Sequence, residues 1–256
     1  MPKWLPAPSS TEFAYTPATL RKVWGLLHAG DCEPLPKDAK ALQAWVHFHN
    51  GAFEAAVATG IQAGGAAIHA ANRATCAYAA HLEADAPTRL NLYKEAAERA
   101  HTLQTQHPEL PNAWYLEAHA LGLYSQHISV GLALAEGLGT RVRRALEQTL
   151  KLAPKHAEAH LALAAFHAEV IDKVGILIGG LTYGAKKEAG LHHYRNALAL
   201  DPHSATTLLE YANGLRKLEG ERARDEVQAL LKRAALLQPL DAWQRLELDA
   251  GLRTAA

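Results

Sequence analysis

Fifteen histidines are the residues most able to do chemistry, and their spacing decides what kind. His156 and His160 stand four apart in a helical stretch, so they share a face and make a workable two-ligand start for zinc. A third ligand is not evident. Glu158 lies two residues on, about 200° around the helix, so the segment is not the zinc-protease arrangement, in which the acid follows the first histidine directly. The same geometry separates His47 from His49 and fans His192 away from His193. The histidines therefore read as structural or solvated, and no metal or cofactor is expected.

The run Gly179-Gly180-Leu181-Thr182-Tyr183-Gly184-Ala185-Lys186-Lys187 superficially resembles a phosphate cradle. It fails because the lysine should follow the last glycine and precede Ser or Thr after a strand, whereas Ala185 intervenes and the approach is helical. A hairpin turn ending at a helix N-terminus is the expectation, with at most a weak anion contact there and with Tyr183 and the glycines free to act as a lid. No Cys or Ser sits beside a base in a nucleophile setting. The paired carboxylates Glu219/Glu221 and Asp225/Glu226 alternate with Arg222 and Arg224, as on a solvated, ion-paired helix face. No catalytic residues are assigned, and an enzyme is not expected.

The elements around these residues follow from composition. Hydrophobic residues make up 49% of the 256, Ala and Leu dominate, and Val, Ile and Thr are sparse, which predicts an all-α chain. Lys plus Arg equal Asp plus Glu at 26 each, so no broad basic field exists to attract nucleic acid or anionic lipid. Cys32 and Cys76 fit neither a zinc site nor a disulfide framework. The N-terminal segment has one basic residue and no apolar core of a signal peptide, so a cytoplasmic location is expected. The longest apolar run, Val174 to Leu181, is too short to span a bilayer.

Along the chain, residues 1–15 form a proline-stiffened strap that Trp4, Phe13 and Tyr15 could anchor. Thr16-Pro17 predicts a helix start, and Gly30 closes the segment carrying Leu20, Val23, Trp24 and Leu27. Asp38 opens a helix that ends at Asn50-Gly51 and hands over to Phe53, Ala56 and Val57. Ala66 to Glu83 and Pro87 to Gln106 form a second hairpin. Prolines then recur after helix ends at Pro108, Pro154, Pro202 and Pro239, the spacing expected of stacked helical units.

The segments Asn112-Ala113-Trp114-Tyr115-Leu116-Glu117-Ala118, Ala157 to His167 and Leu208 to Leu215 resemble the first helix of a tetratricopeptide (TPR) unit, and Ala197-Leu198-Ala199-Leu200-Asp201-Pro202 resembles the end of the second. The resemblance implies a TPR-like α-solenoid of antiparallel helix hairpins. It gives divergent hairpins over 16–107, three repeats over 108–239 and a C-terminal capping helix over 240–256, led by Asp241 and Trp243. Ala118, Ala164 and Ala212 are small where two helix backbones must approach, and His160 and His167 stand where the family carries packing aromatics. The prolines are 46, 48 and 37 residues apart, against a family repeat of about 34. Two units are thus enlarged, at Ser125 to Arg141 and Val170 to Lys186, and the extra residues are expected to lengthen both helices of each hairpin. Such hairpins resemble those of some bacterial TPR-like proteins that work with periplasmic ligand transporters.

The resemblance also implies a concave groove for a protein or peptide partner, lined by Asn112, Tyr115, His119 and Leu123, then Glu158, Leu161, Ala165 and Glu169, then Thr206, Leu209, Asn213, Arg216 and Lys217. Asn213, Arg216 and Lys217 make a basic end suited to a carboxylate. A non-catalytic scaffold or adaptor is the function expected. The alternatives are a ligand-binding or transport-associated protein that uses the apolar inserts Val130 to Leu138 and Val174 to Leu181, and a homo-oligomer assembled through them.

Overall fold

The computed structural model describes residues 4–8 and 12–255, and every regular element among them is helical. Their starts are set by local chemistry. Thr16 accepts from the Thr19 N–H with Pro17 in the first position of α1 (Pro17–Leu27), and Asp38 accepts from the Ala41 N–H, 2.8 Å away, to open α2 (Ala39–His49). There follow α3 (Phe53–Ala63), α4 (Ile68–His81), α5 (Ala86–Gln106), α6 (Pro111–Gln126), α7 (Val130–Ala135), α8 (Leu138–Leu152), α9 (Ala157–Val174), α10 (Ile176–Tyr183), α11 (Lys187–Leu200), α12 (Ala205–Glu219), α13 (Arg224–Ala235) and α14 (Ala242–Ala255).

Antiparallel hairpins form from α2 with α3, α4 with α5, α6 with α8, α9 with α11, and α12 with α13. Their first helices stack side by side, α2 on α4, α4 on α6, and α9 on α12, which makes the inner layer of an all-α, TPR-like solenoid. Ala118, Ala164 and Ala212 are all buried, so neighbouring backbones come close there. Gly214 repeats the device, since a Cβ on it would run into the Tyr194 ring.

The two enlarged hairpins depart from expectation. Their extra residues do not lengthen the paired helices but fold as separate short helices, α7 and α10. The cause is glycine: Gly137 (φ 64°), Gly175 (φ 82°) and Gly184 (φ 65°) take left-handed backbone that ends one helix and turns the chain into the next. Gly179 and Gly180 accordingly lie inside α10 rather than in a turn.

Both chain ends return to the solenoid. Within the predicted strap, Trp4 stacks on Tyr78 of α4 with ring centroids 4.0 Å apart, and Tyr15 donates its hydroxyl to the Leu240 carbonyl at 2.6 Å; the strap's residues 1–3 and 9–11 lie outside the described residues. Helix α14 packs on α12 and α13 and reaches back to α2 and α4. No described helix is long and apolar enough to cross a membrane.

Candidate binding pocket on the inner face

The loop after α1 carries Asp31 and Glu33 into the interior, where both are almost fully buried. A buried charge is tolerated only when paired and hydrogen-bonded, and here each one is. Arg73, in the middle of α4, meets Asp31 at 2.9 Å and also Glu158 of α9. Burial alone would raise the Asp31 carboxyl, but His28 and Arg73 outweigh it and hold the group well below the usual carboxylate range. For Glu158 burial wins, and its pKa is raised despite Arg73. Glu33 accepts from His69 at 2.8 Å and from the Asn112 amide at 2.6 Å.

Two histidines extend the network to the C-terminal region. His28 Nδ1 faces the Asp31 carboxylate at 3.0 Å, and His49 Nδ1 faces Asp241 at 2.6 Å. Both therefore carry hydrogen on Nδ1, and their Nε2 atoms meet at 3.2 Å. Burial lowers the His49 pKa despite the Asp241 carboxylate beside it, and the Asp31–His28–His49–Asp241 chain runs unbroken from the loop after α1 to the start of α14. Asp241 also accepts from the Gln244 N–H at 2.7 Å and so caps α14. The chain's last helix is thereby pinned to its first.

His156 is committed at both ring nitrogens. Its Nδ1 accepts from the Ala159 N–H at 3.0 Å, capping α9, and its Nε2 donates to Asn112 Oδ1 at 2.8 Å. Burial pushes its pKa down to about 3, so the ring is neutral and is not a ligand partner for His160. His160 instead meets His193, Nδ1 to Nδ1 at 2.8 Å. Among the described residues no three His, Cys, Asp or Glu side chains converge as a metal site.

Beyond this network the inner face opens into a cavity of about 540 Å³, within the roughly 300–1,000 Å³ range of ligand pockets. One wall is α6, α9 and the start of α12. Leu26 and Leu27 of α1 and Trp243, Gln244 and Glu247 of α14 also border it. Apolar side chains from the insert regions, Val130, Leu138, Val174 and Tyr183, complete the lining. Val130 is also exposed at the cavity's edge, and so are Leu132 and Leu134 of α7 and Ile176, Leu177, Ile178 and Leu181 of α10.

Of the groove residues expected from sequence, Tyr115, His119, Leu123, Glu158, Leu161, Ala165, Glu169 and Thr206 line this cavity together. Burial lowers the His119 pKa to about 4, so that ring is neutral. Asn112 is buried and fully engaged by Glu33, His156 and the Asp31 carbonyl. Leu209, Asn213 and Arg216 lie apart, along a smaller cavity of about 210 Å³ walled by Ala250 and Gly251 of α14. Lys217 is ion-paired with Glu169. The chain's own C-terminal helix thus lies over the α12 part of the inner wall.

The sequence reading missed Arg73, Asp31, Glu33, His49 and Asp241, and it missed Glu210. Glu210 of α12 borders both cavities. Burial raises its pKa to about 7, with Glu247 adding to the rise and Lys217 opposing it.

No family model matches the sequence, and no curated protein matches it. Among solved structures it is similar to a thermophilic TPR protein of Thermus thermophilus. The two share 18% sequence identity and superpose with a TM-score of 0.59 over 84% of this chain and 97% of that one. At that identity the likeness is one of fold, and it agrees with the helix pairing described above.

Proposed function

We propose that this protein is a non-catalytic interaction module that takes a short apolar segment of a protein partner into its inner-face pocket. The observation that carries the reading is the cavity of about 540 Å³ on the inner face. An extended groove would accept a long peptide along all repeats; a cavity of this size, bordered by α1 and α14 as well as by α6 and α9, favours a short insert. The TPR-like fold itself is one generally used for protein interaction.

The test fills the pocket. Ala165 lines the cavity and is only partly buried, so Ala165→Trp occupies space without displacing the core. Affinity purification from the native cell, followed by mass spectrometry, should recover a partner with the wild-type chain and lose it with the variant at unchanged helical circular dichroism. Equal recovery by both would refute the pocket as the binding site.

A second reading rests on the seven exposed aliphatic side chains of α7 and α10. Exposed apolar side chains clustered on a helix mark a contact, and self-association through α7 and α10 is the form proposed here. Multi-angle light scattering should show oligomers that Leu181→Glu dissociates; monomer at high concentration removes this reading.

A further inference from the structure

Resting on the pocket reading above, we infer that the α12 end of the pocket is a seat for an organic cation: Glu210 takes the ammonium or guanidinium group of a ligand whose apolar portion lies against Leu161 and Phe166. Five carboxylates border the cavity, and four are already held. Glu158 is taken by Arg73, Glu247 accepts from His81 at 2.7 Å, Glu169 is paired with Lys217, and Asp201 accepts from the His203 backbone. Glu210 alone makes no hydrogen bond or ion pair among the described residues, although it is half-buried on the cavity wall and burial raises its pKa.

A desolvated carboxylate is stabilised by a proton or by a cation. Its neighbours offer neither, because Glu247 and Glu169 add negative potential and Lys217 is engaged. The remaining source is whatever enters the cavity. The walls on the way to Glu210 are apolar at Leu161 and Phe166, so the complement is a charge carried on an apolar stem. A lysine or arginine side chain of a partner segment has that chemistry, and so does a free alkylamine.

Calorimetry at pH 8 separates the outcomes. The probes are octylamine, octan-1-ol and octanoate, together with the peptide acetyl-Leu-Ala-Lys-Leu-amide and its norleucine counterpart. The cationic member of each set should bind at least about tenfold tighter than its neutral counterpart, and octanoate should bind worst. Glu210→Gln should erase the cationic advantage while leaving the neutral probes unchanged; whichever set shows the larger advantage identifies the source of the cation. Equal binding of amine and alcohol, no binding in any arm, or a cationic advantage that survives Glu210→Gln overturns the inference. None of these touches the pocket reading, which falls only if Ala165→Trp leaves partner capture intact.

Discussion

At the N-terminal end of the inner face, Asp31, Glu33 and Glu158 are held by Arg73, His28, His69 and Asn112; at the C-terminal end, Glu210 faces a cavity with no such partner among the described residues. The first arrangement is closed. Its charges satisfy one another, so removing a member leaves another stranded, and its role is to fasten the loop after α1 and the start of α14 onto the solenoid. The second is open, and folding leaves it with an electrostatic cost that a ligand can relieve. Buried charge serves as a fastening in the first region, and the half-buried carboxylate of the second is the recognition element we propose.

The largest expected effect attacks the closed region. Arg73→Met keeps the length of the stem but strands Asp31 and Glu158, and should destabilise the protein by about 3–5 kcal/mol in urea unfolding at pH 7. Because the Asp31 pKa is lowered in the folded state, its contribution is present above the unfolded carboxylate pKa and is lost as pH falls below it. The loss caused by Arg73→Met should therefore shrink in acid. A loss under about 1 kcal/mol, the scale of a solvated pair, would mean that the network is not the fastening it resembles.

The open region predicts the opposite sign. The folded-state pKa of Glu210 is raised to about 7, so the native state holds the proton more tightly than the unfolded chain does. Stability must fall as pH rises from the unfolded carboxylate pKa to about 7, with the penalty complete above that. Glu210→Gln removes the ionisation and should stabilise by on the order of 2–3 kcal/mol at pH 8 and by nothing near pH 4. A destabilised variant at pH 8 would show that Glu210 has a partner in the folded protein.

How much of this was legible in the sequence follows the range of the interactions. Thr16-Pro17 and Asp38 mark helix starts because a cap acts over three residues, and Ala118, Ala164 and Ala212 mark helix contacts because each repeat needs a small residue there. The network was illegible because it joins residues as far apart as His49 and Asp241, each of which alone looks like ordinary polar surface. A local signal did exist: Arg73 and Glu210 each interrupt a run of apolar or small side chains, Ala70-Ala71 with Ala74 and Leu208-Leu209 with Tyr211-Ala212. A charge in such a place must be paired or functional. The separate helices α7 and α10 escape a reading that weighs only the length of the inserts, because they depend on the left-handed conformation of Gly137, Gly175 and Gly184. The return of α14 to the solenoid depends on long-range packing of Trp243 against Phe48 and of Glu247 against His81, which no repeat pattern encodes.

Packing provides a comparison free of charge. Ala164 in α9 and Ala212 in α12 occupy matching places at helix contacts and are both fully buried. Replacing either with Trp should overpack its contact and destabilise by about 1–3 kcal/mol or more, whether or not a network lies nearby. Similar losses at the two sites, unaffected by pH, would confirm that the regions differ in electrostatics and not in how their helices nest. A neutral result at either would mean that the solenoid register there tolerates a large side chain.

The smallest effect concerns how α12 presents Glu210. Ser204 caps this helix by accepting from the Thr207 N–H at 3.1 Å, and no ion pair supports its first turn among the described residues. Ser204→Ala should cost about 1 kcal/mol and Ser204→Asp should restore it, because an acidic cap also suits the positive end of the helix dipole. Asp at that position, however, adds negative charge to the same cavity, since Ser204 borders it together with Glu210. The Asp variant should therefore recover stability while raising the Glu210 pKa further, which shifts the pH-dependent loss of stability upward. If thermal unfolding across pH 5–9 gives superimposable profiles for wild type and Ser204→Asp, Glu210 is screened from the mouth of its own helix, and the open region is less open than its geometry implies.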